Sequence, residues 1–296
     1  MKKLIVIGGP TASGKTSLAI EIAGHLRAEI ISADSRQCYR ELNIGVAKPD
    51  ISQRTLIRHH FIDTHSVIED VNAGIFERYA LDILDEKFRQ SEIMVCAGGT
   101  GMYIKALCEG IDEMPSMNSE ITFQVNSNFK QLGLGWLQST LKEIDPLFKD
   151  YPEMNNPARL MRALSFKLST GESIMNYRKG MAKPRSFSVQ YYAIDIDRDS
   201  LYQHINHRVE KMITDGLVDE AEQLLGLKSF KALQTVGYRE LWPYFEGDQS
   251  LDLCIEKIKQ HSRNYAKRQI TWFKNQGGFK HMTPEKILAQ VIKENI

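Results

Sequence analysis

The residues best suited to chemistry form an octet near the N-terminus, Gly9-Pro10-Thr11-Ala12-Ser13-Gly14-Lys15-Thr16. The octet matches the pattern G-x-x-x-x-G-K-[ST], in which the backbone N–H groups of a glycine-rich loop surround phosphate oxygens. At this spacing Lys15 adds a positive charge, and the hydroxyl of Thr16 is a ligand for Mg²⁺. The octet therefore predicts a binding site for a diphosphate or a triphosphate.

The segments on either side of the octet are the ones that such a loop requires. Leu4-Ile5-Val6-Ile7 is a short apolar run typical of a buried parallel strand. After the octet, Leu18, Ile22 and Leu26 recur every four residues and indicate a helix packed along one face. A strand, a loop and a helix in this order aim the loop amides at an anion.

Two further polar side chains follow predicted strands. Asp34 comes after the strand-like segment 29–33, and Thr100 lies in Gly98-Gly99-Thr100-Gly101 after the strand-like segment 93–97. The carboxyl ends of parallel strands form one crevice, so we expect both side chains near the phosphate loop. There Asp34 is either a general base or an ordinary N-cap or loop aspartate, and its position alone leaves both readings open. The GGTG run by itself is also typical of a tight turn.

The segment 257–280 is strongly basic and has no acidic residue. If it is helical, Lys259, Arg263 and Lys267 share one face and Lys274 rejoins it. Three aromatic residues are interleaved: Tyr265, Trp272 and Phe273. A basic face beside aromatic residues favours a nucleic-acid contact. A solvated helix face whose aromatic residues are buried on its other side would give the same sequence pattern.

The chain order predicts an α/β protein, with a P-loop NTPase-like parallel sheet flanked by helices. Strand-like and helix-like segments alternate to about residue 114, and the segment 189–196 resumes a strand. Residues after 201 are predicted to be mostly helical. We therefore expect a core of residues 1–114 and 181–296.

Residues 115–180 lose the strand pattern and predict a helical insertion. One amphipathic helix is stopped by Gly133, and a second ends at Asp145-Pro146. Asn156-Pro157 opens a third, with N-cap and first-turn residues in their favoured places, and it runs to Gly171. Arg159 and Arg162 form a small basic pair on this helix.

Bulk composition excludes several classes of protein. The formal net charge of +1 over 296 residues gives no global attraction to nucleic acid, so any such attraction must be local. Four well-separated cysteines argue against a zinc site or a disulfide framework and suit a reducing cytoplasm. The adjacent pair His59-His60 points apart on a strand or helix, so no metal is expected there. No apolar run is long enough for a membrane span.

Taken together, these segments resemble the tRNA isopentenyltransferase family over nearly the whole chain. The matching segments are GPTASGKT (9–16), SADSRQCYR (32–40), AKP (47–49), HHFID (59–63), GGTGMYIKAL (98–107), NPARLMRAL (156–164), VGYRE (236–240) and AKRQITWF (266–273). The phosphate loop alone is common to many NTPases. Its combination with ADSRQ, GGTG-x-Y and AKRQ-x-TWF is much more specific.

The resemblance implies transfer of a dimethylallyl group from its diphosphate to the N6 amine of the adenosine 3′ of the anticodon (position 37). The tRNAs would be those that read codons starting with U. The phosphate loop would then hold the diphosphate leaving group rather than ATP, with Mg²⁺ on Thr16. Because a stacked base is out of reach of an enzyme, we expect the adenine to be flipped into a channel. The implied partners are tRNA and dimethylallyl diphosphate, without a membrane, for a cytoplasmic monomer.

The resemblance also carries roles onto individual residues. Asp34 matches the general base, Thr100 a residue against the target nucleotide, and Arg208 an arginine near the diphosphate. The positions that match tRNA contacts are Asp34, Ser35, Arg36, Gln37, Thr100, Thr122, Ala158, Arg159, Arg162, Gly237, Tyr238, Arg239, Lys267, Arg268, Gln269 and Lys274. The chain departs from the family pattern at Thr122, where an arginine is usual nearby, and at Ala158, where a glutamine or similar polar residue is usual. Asn43 and Val46 also replace a more usual aspartate and threonine.

Two other functions share the phosphate loop. A small-molecule or nucleoside kinase also places an acidic residue after the second strand, but its Mg²⁺-holding aspartate is missing where the third strand ends in Gly98-Gly99. A GTPase-like RNA-binding switch would need a base-specificity motif of the N-K-x-D type, which the sequence lacks.

Overall fold

A computed structural model describes residues 2–295 of the chain. Within them a six-stranded sheet has the order β3-β2-β4-β1-β5-β6, with parallel pairing throughout. The strands are β1 (Lys3–Gly8), β2 (Ile30–Ser32), β3 (His59–His60), β4 (Ile93–Gly98), β5 (Ser188–Ile194) and β6 (Lys280–Met282). The predicted class, a parallel α/β sheet flanked by helices, is confirmed.

Helices fill most of the remaining chain. They are α1 (Lys15–Leu26), α2 (Ile51–Leu56), α3 (Ala73–Lys87), α4 (Gly101–Glu109), α5 (Ser119–Ile144), α6 (Pro157–Thr170), α7 (Arg198–Thr214), α8 (Leu217–Gln223), α9 (Trp242–Phe245), α10 (Leu251–Asn275) and α11 (Pro284–Asn295). Short 3₁₀ turns occupy Pro146–Phe148, Ile174–Tyr177, Leu225–Leu227 and Lys231–Leu233. No helix within residues 2–295 combines the length and the apolar character needed to cross a bilayer.

Alternate side chains of β1 enter two different cores. Ile5 and Ile7 pack with residues of α1 and α11, whereas Leu4 and Val6 belong to the larger core that includes α3 and α4. Because helices cover both faces of the sheet, the strand has no polar side and reads in the sequence as a continuous apolar run.

The three strands predicted after β1 all exist, with shifts of one or two residues at their ends. β3 and β6 were not predicted. β3 is a two-residue edge strand of histidines, and β6 is an edge strand with two exposed residues, so neither carries an apolar run. The prediction that the chain after 201 is mostly helical is confirmed, although it did not include β6.

The sheet brings three loops to one edge. Gly8 at the end of β1 is paired with Gly98 at the end of β4, and β4 is paired on its other side with β2. A Cβ on Gly98 would lie 2.2 Å from the carbonyl oxygen of Ala33, so only glycine permits the loops after β2 and β4 to approach this closely. The phosphate loop, the Asp34 loop and the Thr100 loop are consequently neighbours.

Residues 111–183 form a separate compact unit, and its regular elements are helices. Its α5 is broken at Gly133, whose φ of 76° is left-handed, as expected for the predicted stop. α6 begins after the N-cap Asn156 and ends at Gly171 as predicted. The limits of the unit differ slightly from the proposed 115–180, because Asp112 and Glu113 bond to Gly180 and Lys183 and so belong with the helices.

Arg185 fixes the point at which the chain returns to the sheet domain. Its guanidinium donates to the carbonyl oxygens of Ala106 and Leu107 at the end of α4, and it pairs with Glu77 at 2.6 Å. Both side chains of the pair are largely buried. Arg185 thus caps the helix from which the chain leaves for the insertion.

Candidate active site

The octet folds as a phosphate-binding loop between β1 and α1. Gly9, Ala12 and Gly14 have positive φ angles of 147°, 62° and 85°, which turn the backbone repeatedly. The hydroxyl of Ser13 donates to the carbonyl oxygen of Pro10 at 2.8 Å and closes the loop. No side chain caps the N-terminus of α1 and no acidic residue lies in its first turn, so this helix end favours an anion.

Lys15 and Thr16 line a small cavity of about 80 Å³, here called the Lys15 cavity. Asp34, Arg208, Tyr265 and Gln269 also border it. The Lys15 cavity joins the phosphate loop to the loop after β2.

Two cations face this cavity without a matching number of anions. The pKa of Lys15 is lowered to about 7, first because the ammonium group is removed from water and then because the Arg208 guanidinium lies nearby. The pKa of Arg208 is lowered by the same loss of solvation, while the negative charge of Asp34 raises it. A bound polyanion would relieve this unfavourable concentration of positive charge.

Asp34 is fixed through one carboxylate oxygen. Its Oδ1 accepts hydrogen bonds from the backbone N–H groups of Arg36 (2.8 Å) and Gln37 (3.3 Å). Its Oδ2 accepts no hydrogen bond from the described residues. This is the arrangement expected of a positioned proton acceptor, because one oxygen orients the group and the other is available.

Asp34 also borders a second cavity, of about 210 Å³, here called the Met212 cavity. Thr11, Arg208 and Tyr265 border both cavities. The Met212 cavity has a mixed lining, and its apolar side chains are Ala12, Val46, Ile205, Val209, Met212, Val236 and Ile258. Polar groups, among them Arg36, line the rest. Asp34 therefore lies between a cationic cavity and a partly apolar one.

Thr100 lines neither of the two cavities but contacts residues that do. Its Oγ1 accepts the backbone N–H of Ser35 at 3.0 Å, and its own N–H donates to the carbonyl oxygen of Ala33 at 3.1 Å. Its hydroxyl does not cap α4 and lies near the phenol of Tyr265. Thr100 thus neighbours Ser35 and Tyr265, two residues that line the Met212 cavity.

Gln269 ties the phosphate loop to the loop after β4. Its Oε1 accepts the N–H of Thr11 at 2.8 Å, and its Nε2 donates to the carbonyl oxygen of Gly99 at 2.9 Å. A Cβ on Gly99 would lie 2.1 Å from that Nε2, so the glycine makes room for the amide. Gln269 was predicted as a tRNA contact; its buried side chain is already occupied within the protein.

Two glutamates, which sequence reasoning did not single out, hold one wall of the Met212 cavity. Glu220 accepts the N–H groups of residues 43, 44 and 45 and the hydroxyl of Tyr238. Glu240 accepts the N–H of Gly237 at 2.9 Å, the Arg239 guanidinium and His261. Glu220 has no sequence signature, because the backbone amides that it accepts belong to a distant loop.

The predicted tRNA contacts near the sheet occupy different positions. Ser35, Arg36 and Gly237 line the Met212 cavity, and Gln37 lines the Lys15 cavity. Tyr238 is fully buried, and Arg239 is partly exposed. Their assignment to tRNA stays a prediction.

The basic face of α10 is only partly free. Lys259 is ion-paired with Glu210 on α7 and with Glu256 just before the basic segment, and Arg263 donates to Asn206. On α10, within the described residues, the exposed cations without an ion pair are Lys267, Arg268 and Lys274. Lys267 and Lys274 border a third cavity, of about 500 Å³, which reaches Gly9 and Pro10.

The insertion residues lie on α5 and α6. Thr122 donates its hydroxyl to the carbonyl oxygen of Asn118, and Ala158 is exposed. Arg159 pairs with Glu153, while Arg162 contacts the sulfur of Met114. Loss of solvation lowers the pKa of Arg162, and the nearby Arg178 adds to the effect.

With this geometry in view, three relatives are informative. A protein of Flavobacterium johnsoniae described as tRNA dimethylallyltransferase is 38% identical over 100% of this chain and 99% of its own length. A tRNA Δ²-isopentenylpyrophosphate transferase structure from Staphylococcus epidermidis has 34% identity and a TM-score of 0.70, covering 99% of this chain and 97% of that one. A eukaryotic dimethylallyltransferase, crystallised in a study of its action on tRNA, has 26% identity and a TM-score of 0.79. The match covers 96% of this chain and 74% of that one.

The model of the IPP transferase family matches residues 37–276. The chain belongs to the IPP transferase family. The predicted family resemblance is thereby confirmed. The matched region includes the Thr100 loop, the insertion, Arg208 and α10.

Proposed function

We propose that this protein transfers a dimethylallyl group from dimethylallyl diphosphate to the N6 amine of the adenosine 3′ of the anticodon in tRNA. The product is N6-(dimethylallyl)adenosine at position 37 of tRNAs that read codons starting with U. The position of Asp34 carries the proposal, because it borders both a cationic phosphate cavity and a cavity with an apolar wall. Prenyl transfer needs these three parts next to one another.

The phosphate loop and its cations hold the diphosphate. Lys15, Arg208 and the N-terminal amides of α1 offset the negative charge that grows on the leaving group as the carbon–oxygen bond breaks. Asp34 is the one carboxylate among the described residues that line the cavity with Lys15 and Arg208, and this excess of positive charge supports the role.

Magnesium fits the same cavity. Thr16 and Asp34 border the Lys15 cavity, and Mg²⁺ favours a few protein oxygens together with phosphate oxygens and water. Among residues 2–295 no cluster of three or more His, Cys, Asp or Glu side chains offers an all-protein metal site. Bound there, Mg²⁺ would neutralise diphosphate charge, and Thr16 would hold it.

Asp34 accepts the proton that the adenine amine loses when its nitrogen bonds to the prenyl carbon. The free Oδ2 is the accepting atom, and the two backbone amides on Oδ1 keep it in place. A positioned base of this kind contributes roughly 10²–10⁴-fold to the rate. The apolar side chains of the Met212 cavity offer the prenyl group a surface with little bound water.

The tRNA anticodon stem-loop is held by local basic groups, since the protein as a whole is almost neutral. Lys267, Arg268 and Lys274 on α10 and Arg159 and Arg162 on α6 are the candidates. We propose a monomer that works in the cytoplasm, where tRNA is modified. The adenosine is flipped out of the loop to reach Asp34.

The alternatives fit less well. β4 ends at Gly98 and is followed by Gly99, so a kinase would lack the carboxylate that holds Mg²⁺ at that position. The N-K-x-D motif of a GTPase-like switch is absent from the sequence.

Label transfer tests the proposal. The purified protein is incubated with tRNA and dimethylallyl diphosphate labelled in its prenyl group, or with ATP labelled in its γ-phosphate. We expect prenyl label in the tRNA, with release of one diphosphate for each group transferred. Phosphate label in any acceptor without prenyl transfer would favour the kinase.

A further inference from the structure

Tyr265 on α10 occupies the junction of the two cavities, and the established motifs give it no role. It lines both the Lys15 cavity and the Met212 cavity, and it is the sole aromatic side chain among the described residues that line the latter. Asp34 and Arg208 border the same two cavities. Any planar group that presents an amine to Asp34 must therefore pass close to this ring.

The ring is held at two points. Its hydroxyl lies near that of Thr100, which in turn accepts the N–H of Ser35 beside Asp34. The Arg268 guanidinium lies over the ring, 5.6 Å from its centroid. A cation on one face and a polar neighbour at the tip favour one orientation of the ring before any ligand arrives.

The hydroxyl itself is a poor candidate for proton transfer. Burial raises the pKa of Tyr265 to about 12, and the negative charge of Asp34 adds to the increase. The phenol is therefore protonated throughout the working range of an enzyme. This leaves the ring surface as the chemically useful part of the side chain.

We propose that Tyr265 is the stacking platform for the target adenine, held in position by Thr100 and Arg268. The inference rests on the proposed function, because it assigns a contact to the base that Asp34 deprotonates. Enzymes that act on a flipped base typically stack it against aromatic or apolar side chains. Thr100 then acts through the ring, as a positioning residue.

Two substitutions separate the ring from the hydroxyl. Tyr265→Leu removes the stacking surface, so the KM for an anticodon stem-loop RNA should rise by roughly 5- to 150-fold, the effect expected when one base–aromatic stack is removed. The KM for dimethylallyl diphosphate should change far less. Tyr265→Phe keeps the ring and should stay within a few-fold of the parent. If Tyr265→Leu does not fold, Tyr265→Gln replaces it.

A spectroscopic measurement reports on stacking directly. A stem-loop RNA with 2-aminopurine at the target position binds without turnover, and its fluorescence is quenched when the base stacks. We expect quenched fluorescence with the parent and with Tyr265→Phe, and bright fluorescence with Tyr265→Leu or Tyr265→Gln.

Tyr202 provides a matched control. It also carries a guanidinium over its ring, that of Arg198 at 5.2 Å, but it lines neither cavity that Asp34 borders. Tyr202→Leu should leave the 2-aminopurine signal unchanged. Unchanged RNA KM and fluorescence in Tyr265→Leu, with an active parent, would overturn the inference alone. A parent that prenylates no RNA would overturn the proposed function and the inference together.

Discussion

The two sides of the candidate site are built in different ways. The phosphate side comes mostly from one continuous segment, residues 9–16, which supplies backbone turns, one lysine and a helix N-terminus, and Arg208 of α7 is its distant contributor. The acceptor side is assembled from Asp34, Thr100 and Tyr265, which come from three distant segments; Thr100 accepts the N–H of Ser35 next to Asp34 and lies near the phenol of Tyr265. Charge binding is thus mostly local in the sequence, whereas the placement of base and proton acceptor depends on the sheet.

The same difference separates the expected functions of the two sides. The phosphate side should determine whether the diphosphate binds, and the acceptor side should determine how fast it reacts. Substitutions that change one quantity and leave the other alone would support this division.

The largest effect is expected at Asp34. Asp34→Ala should reduce the single-turnover rate of prenylation by roughly 10²-fold or more, because the proton acceptor is removed. The affinity for dimethylallyl diphosphate should remain close to that of the parent. Rapid-quench assays with enzyme in excess measure the rate, and a rate within a few-fold of the parent would remove Asp34 from its proposed role.

A smaller effect, on a different quantity, is expected on the phosphate side. Lys15→Ala should weaken diphosphate binding by roughly 10- to 100-fold, as when a hydrogen bond to a charged group is removed, and Thr16→Ala should act in the same direction. Affinity for tRNA should be unchanged. Lys105→Ala, which replaces a half-exposed lysine on α4, is the control. Loss of tRNA affinity with normal diphosphate binding would reverse the assignment of the two sides.

The lowered pKa of Lys15 makes diphosphate binding depend on pH. In the free protein the pKa is about 7, so Lys15 is increasingly neutral above that value. A bound anion favours the charged form, so binding at pH 8 should take up a proton and affinity should fall by up to about tenfold per pH unit. Calorimetry in buffers of different ionisation enthalpy measures this uptake. Lys15→Arg, which stays charged, should show no such uptake; equal uptake in that variant would refute the assignment to Lys15.

The smallest effect concerns tRNA affinity and salt. Lys267→Ala combined with Lys274→Ala should flatten the slope of log affinity against log salt by roughly 0.7 to 0.9 for each phosphate interaction removed. Preference for the target adenosine should persist, because phosphate contacts carry no sequence information. Lys259→Ala is the control, since Lys259 is already paired with Glu210 and Glu256. Equal slopes in the parent and the double variant would mean that these lysines form an ordinary solvated face.

The sequence predicted the two sides to different extents, for physical reasons. The phosphate loop and its flanking strand and helix could be predicted from the sequence, because their geometry depends on residues that are close in the chain. The location of Asp34 and Thr100 at one edge followed from the rule that parallel strands end together.

Contacts between distant segments could not be predicted from the sequence. Tyr265 appeared only as one of several aromatic residues on a basic helix, and its junction position depends on how α10 packs over the sheet. Lys259 looked free because the acidic residues that neutralise it lie outside the basic segment, one of them on another helix. The edge strands β3 and β6 were missed because neither carries an apolar run.

Mapping the product on tRNA tests the central claim most directly. The protein is incubated with dimethylallyl diphosphate and a tRNA that has adenosine 3′ of the anticodon, and digestion fragments are sequenced by mass spectrometry. A matched tRNA has guanosine at that position. We expect one dimethylallyl group in place of one hydrogen on the N6 amine of that adenosine, and none in the matched tRNA. Prenylation at another nucleotide, or equal modification of both tRNAs, would contradict the proposed function.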